Sequence, residues 1–197
     1  MNDPVDIDIE TVRAEALRKL GRNIVNFSKI EMALKYLLSV SQLEGTKATI
    51  SEQFHRNKSR YRKETLGKLV QKFHENVLVD ASQFEATTTS SDSEFSSSLK
   101  ITYDDQDFLK SQKRALSKIV AERNKLIHQD LAFLDTSCVE DYHKLIIFLD
   151  EQNPRLLVHL EELRWIIESN NDHSKNLEEL LKSPEFIDWV QSHQSDV

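Results

Sequence analysis

Only three glycines and three prolines punctuate this chain of 197 residues, and that scarcity constrains its fold more than any other feature. Frequent chain reversal draws on glycine for positive φ and on proline for a preset φ, so the many turns of a β-sandwich and the Gly-rich loop of a phosphate binder are both excluded. Long helices remain, and 30% charged with 39% hydrophobic residues suits them. The length fits one domain able to bury a core without staples. A single cysteine, Cys138, excludes an intramolecular disulfide framework and a Cys-based zinc site, which points to a reducing, intracellular setting.

Apolar spacing by threes and fours predicts the helices. The first covers about 9–43, with Leu17, Leu20, Ile24, Phe27, Ile30, Leu34, Leu37 and Leu38 on its stripe; Gly45 is its expected stop and Gly21 a mark of close helix packing. The second covers about 51–78, with Tyr61, Leu66, Leu69, Val70 and Phe73. The third covers about 105–127, with Phe108, Leu109, Leu116, Ile119, Val120 and Ile127 facing inward. A fourth starts after Asp135-Thr136, where Ser137 and Glu140 match a capping box. It carries Val139, Tyr142, Leu145, Ile146 and Leu149. At Asn153-Pro154 the pattern either kinks or restarts, then resumes with Leu156, Leu157, Leu160, Leu163, Ile166 and Ile167.

Ten of residues 81–98 are serine or threonine, which reads as a polar insertion, either disordered or a modest β-hairpin. The expected fold is therefore all-α: an antiparallel four- to five-helix bundle with a Ser/Thr-rich insertion at about 80–104, between the second and third helices. The bundle is assigned to 1–170 and an acidic helical tail to 171–197. The opening MNDPVDIDIE lacks the charge of a leader, and the longest apolar run, LIIFL at 145–149, is too short to span a bilayer. A soluble cytoplasmic protein with no membrane partner is expected.

The formal charge of −7 disfavours nucleic acid until it is read by position. Residues 55–72 hold Arg56, Lys58, Arg60, Arg62, Lys63, Lys68 and Lys72 against Glu64, a net of +6. That stretch reads either as a phosphate-tracking face with Tyr61 available for stacking, or as a solvated helix face paired with acids elsewhere. Residues 168–197 hold seven acids against Lys175 and Lys182, a net of −5, and suit a protein partner better than RNA.

No HExxH, Walker A, GxSxG or EF-hand pattern is present, so neither metal nor cofactor is expected. One constellation stands apart: Glu122-Arg123-Asn124-Lys125-Leu126-Ile127-His128. Here the chain resembles the HEPN family, whose ribonuclease members carry an Arg, commonly followed by a small polar residue such as Asn, and then a His after four to six intervening residues. The segment LGRNIVNFSKIEMALKYLL fits the family's first helix. The resemblance implies a metal-independent endoribonuclease that leaves a 2′,3′-cyclic phosphate and a 5′-OH, in a bacterial toxin, antiviral or stress-response setting. Arg123, Asn124 and His128 would form its catalytic set.

The chemistry is physically sound. An imidazole with a pKa near 6.5 exchanges protons with a ribose 2′-OH or a leaving 5′-oxygen, and a guanidinium offers a fixed fork to phosphate oxygens whose charge grows in the transition state. Glu31 and Glu122 are candidate orienting acids, with Glu31 expected to pair with Arg123. Arg56, Lys58, Arg60, Arg62, Lys63 and Lys125 are candidate RNA contacts, and Asp130 is a negative charge close to the supposed cleft.

Five residues of straight α-helix turn the chain by about 140° beyond a full turn, so Arg123 and His128 would not share a face. Either the helix ends before His128, or two protomers complete one cleft across a two-fold axis, as similar HEPN ribonucleases do, which makes a homodimer the expectation. HEPN toxins regulated through a tyrosine two residues after the His differ from this chain, which has His128-Gln129-Asp130. The resemblance leaves room for an antitoxin or other regulatory protein partner. The competing reading is a catalytically inactive HEPN-like module that binds a protein or RNA partner.

Overall fold

The computed structural model of the chain describes residues 8–46, 49–83, 95–182 and 184. It is mostly helical. Helix α1 (Ile9–Val40) opens on Asp8, whose carboxylate accepts from the Glu10 amide at 3.2 Å. It stops three residues earlier than its apolar pattern suggests, because the hydroxyls of Ser39 and Ser41 bond back to the carbonyls of Lys35 and Leu38. The chain then enters β1 (Gln42–Gly45). Gly45 has φ +148°, and a Cβ there would lie 2.5 Å from the Thr49 hydroxyl, so it serves a reversal after the strand rather than a helix cap.

The second predicted helix is two rods, α2 (Ile50–Arg62) and α3 (Leu66–Asn76), parted at Lys63–Thr65. Thr65 is extended, with ψ 156°, which turns the Leu66, Leu69, Val70 and Phe73 face of α3 into the core independently of the polar α2. Helix α4 (Gln106–Lys125) is capped by Asp105, which accepts from the amides of Asp107 and Phe108 at 2.8 and 3.1 Å. It widens into a π turn (Leu126–Asp130), and α5 (Val139–Lys182) runs unbroken past Pro154. The fresh helix start, one of the two alternatives at Asn153-Pro154, is therefore absent. So is the Ser137–Glu140 box: the Ser137 hydroxyl donates to Asp135 at 2.6 Å, and Glu140 instead accepts from the Cys138 thiol.

The FSSSLKITY segment at 95–103 forms two strands that pair with segments elsewhere in the chain, not with each other. β3 (Phe95–Ser98) runs antiparallel to β1, and β4 (Ile101–Tyr103) runs parallel to β2 (Leu78–Asp80). Leu99 and Ile101 donate to the carbonyls of Ser41 and Val77, which fastens this segment to the ends of α1 and α3. Of the insertion expected at about 80–104 as disordered or a hairpin, residues 84–94 lie outside the described residues, as does most of the acidic tail beyond Lys182.

Helices α1 and α5 carry the core, with Phe27, Ile30, Leu34 and Leu37 against Tyr142, Leu149, Leu156 and Leu163. Their cross-links step in the same direction along both helices: Lys19 to Asp150, Asn23 to Gln152, Asn26 to Asn153 and Tyr36 to Asn171. The pair is parallel, where four alternating helices would make the first and last antiparallel. Three rods, not two, intervene. Leu17, Phe108 and Leu157, expected inside, are 52%, 47% and 48% exposed, and Gly21 has nothing within 4 Å of a Cβ position. Among the described residues no helix is long and apolar enough to cross a membrane.

Candidate functional site

The last α-helical turn of α4 and the π turn carry the Arg-Asn-His constellation. Leu126 is fully buried and anchors the turn in the core, while the amide of Leu131 reaches the Leu126 carbonyl at 3.0 Å across five residues. A turn this wide brings side chains five apart towards one another. Lys125 and Asp130, five positions apart, show it directly by pairing at 2.7 Å. The result is an exposed His128 on a backbone tied to a buried leucine.

Arg123 is half-buried and donates to the Asn124 side-chain oxygen at 3.2 Å. Among the described residues it has no acidic partner. The expected Glu31–Arg123 pair does not form: Glu31 accepts from Lys35 at 2.6 Å, one turn along α1. A local partner four residues away costs less ordering than one on another helix, which accounts for the outcome. No hydrogen bond joins Arg123 to His128. The turn therefore presents two chemical groups from adjoining stretches of backbone rather than a closed pair.

Glu122 has a different setting. Its side chain is only 12% exposed and accepts from Arg155 at 3.2 Å and Gln152 at 3.3 Å, both on α5. Gln152, fully buried, accepts in turn from Asn23 at 3.0 Å, and Asn23 also donates to the Leu149 carbonyl at 2.9 Å. This chain of bonded side chains joins α1, α5 and the end of α4. It holds the backbone next to Arg123 without touching the guanidinium itself. No motif marks Asn23, Asn26 or Gln152 in the sequence; the available signal is amides at helical spacing on apolar stripes, Asn23 and Asn26 among Leu20, Phe27 and Ile30, and Gln152 between Leu149 and Leu156.

The basic segment divides in two. Lys68 and Lys72 sit 3.6 and 3.7 Å from Glu64, whereas Arg56, Lys58, Arg60, Arg62 and Lys63 are exposed with no acid in ion-pair range among the described residues. Tyr61 is not available for stacking: it is buried, with Arg60 and Lys72 over its ring at 5.8 and 5.5 Å. Lys125 is taken up by Asp130 and by the ring of Phe148, 5.5 Å away, so the Asp130 charge is offset before it reaches a substrate. Among the described residues no three His, Cys, Asp or Glu side chains gather as a metal site would need.

Among the described residues, His74, on α3, is the histidine with a displaced pKa. Burial, reinforced by the Lys113 charge and opposed by Glu75, lowers it to about 4. Its Nε2 is buried with no partner although the residue as a whole is half-buried, so the ring is held neutral. Comparison of the chain with protein-family models, with curated proteins and with solved structures returned no match.

Proposed function

We propose that this chain is a metal-independent HEPN-type endoribonuclease, acting on RNA by 2′-OH attack to leave a 2′,3′-cyclic phosphate. One observation carries the reading. Arg123 has no acidic partner among the described residues and lies on the helical turn that leads into the π turn of the exposed His128, where a guanidinium satisfied by a carboxylate would have nothing to offer a phosphate. His128 moves the proton, Arg123 takes the developing charge on the non-bridging oxygens, and Asn124 positions the guanidinium. The exposed Arg56, Lys58, Arg60, Arg62 and Lys63 hold the strand electrostatically. The protein works as a homodimer that brings two copies of Arg123 and His128 into one cleft, in a toxin, antiviral or stress-response setting with a regulatory protein partner.

The test is incubation of purified protein with mixed RNA in excess EDTA. Wild type cuts; His128→Ala and Arg123→Ala each lose about 10² to 10⁴ in rate with unchanged thermal unfolding. Mixing the two variants restores part of the activity if the cleft is shared. Cleavage that survives both substitutions, or none by wild type over a broad panel, overturns the proposal. The second reading, an inactive partner-binding module, draws on a cleft of about 440 Å³ bordered by Tyr103, Phe108 and Trp165, the last 67% exposed.

A further inference from the structure

A cleft of about 370 Å³ lies between the π turn and the first turns of α5. Its apolar lining is Phe133, Leu134, Leu145 and Phe148, and the residues that follow His128, Gln129 and Asp130, form part of its wall. Phe133 stands at its lip with 83% of its surface in water. That exposure is not the accident of a loose loop. The Phe133 amide donates to the Gln129 carbonyl at 3.0 Å, directly after the five-residue bond of the π turn, so the ring is carried by the same backbone as His128.

Charge decides what such a cleft accepts. Lys125 is paired with Asp130 at 2.7 Å and Lys144 with Asp141 at 2.9 Å, so the rim is neutral overall and is a poor seat for a phosphate. It nevertheless presents both donors and acceptors, including the Gln129 amide, around an aromatic and aliphatic floor. A flat, uncharged ring with donors and acceptors on its edge satisfies all of these at once: its face stacks on an aromatic side chain while its edge meets the polar rim. The underside of Phe148 already carries the Lys125 ammonium at 5.5 Å, which leaves Phe133 as the open stacking face.

We propose that this cleft is a nucleobase subsite, in which a base of single-stranded RNA stacks on Phe133 and is hydrogen-bonded along its edge by Gln129 and the two ion pairs. The subsite rests on the nuclease reading for its role, since it would place the flanking nucleotide relative to His128, but its binding chemistry is independent of cleavage. The volume lies within the range of small-ligand sites.

The experiment uses full-length His128→Ala protein, so that bound RNA is not consumed, with a fluorescein-labelled mixed-sequence RNA octamer and an abasic ribose-phosphate octamer of equal length. The intact octamer binds more tightly than the abasic one. Phe133→Ser weakens the intact octamer roughly tenfold and leaves the abasic one unchanged. Equal binding of the two probes, indifference to Phe133→Ser, or a loss of binding that accompanies conversion of a dimer to monomers overturns the subsite. Wild-type cleavage is read in parallel. Base-dependent binding without cleavage overturns the nuclease and leaves the subsite standing; His128-dependent cleavage with base-independent binding overturns the subsite alone.

Discussion

Glu31 and Glu122 are both acids that the sequence offers to orient Arg123, and their surroundings separate them. Glu31 is one member of an i, i+4 surface pair with Lys35, worth a few tenths of a kcal/mol. Glu31→Gln should leave the urea midpoint within error. Glu122 is nearly enclosed, and its removal strands Arg155, whose Nε is already buried without a partner, and one donor of the fully buried Gln152. Glu122→Gln should cost about 1 to 3 kcal/mol in urea unfolding. If both substitutions cost the same, the enclosure of Glu122 is not what stabilises it. Asn23→Leu removes the two bonds that reach α5 and should cost a similar amount, again read as a shift in urea midpoint at constant slope.

At the scale of elements, the π turn is the departure from regularity that matters most. It wraps five residues where an α-turn wraps four, so one residue is in excess. Deleting Gln129 should restore α register: Lys125 and Asp130 would become an i, i+4 pair, Phe133 would rotate away from its cleft, and His128-dependent cleavage would be lost while helical circular dichroism is retained. A deletion protein that still cuts would separate the activity from the turn. Nothing in the residue string from Leu126 to Asp130 announces a π turn, because its cause is the buried seat of Leu126 and the bond from Leu131, both set by packing. The same holds at Lys63–Thr65. A continuous apolar pattern cannot reveal a break that changes the direction of the stripe without interrupting it.

Two properties belong to the whole molecule. The first is the field: exposed cations on α2 in a chain of net charge −7 should make RNA binding salt-sensitive. Replacing Arg56, Arg60 and Lys63 together with Gln should reduce the slope of log affinity against log salt by about 2, from roughly 0.7 per phosphate contact on single strands. The second is acid stability. His74 titrates near 6.5 when unfolded and at about 4 when folded, so between those values the unfolded chain binds the proton first. Its contribution is whole above pH 6.5 and is lost as pH falls towards 4, a loss of about 1 to 2 kcal/mol once the solvent-facing part of the ring is allowed for. Urea midpoints at pH 7 and pH 4.5 should differ less in His74→Gln than in wild type; an equal difference would assign the acid sensitivity to other groups.

The helical class, the places where α1, α3, α4 and α5 run, and the singularity of the Arg-Asn-His string were all legible in the sequence. Those features depend on local spacing and on the near-absence of glycine and proline, which act within a few residues. Tertiary structure alone decided that α1 and α5 run parallel, that the strand segment after Ser/Thr-rich residues splits between β1 and β2, and that Tyr61 is enclosed while Phe133 is not. Each of these is a choice among partners far apart in sequence, settled by which arrangement buries apolar surface and leaves the fewest polar groups unpaired.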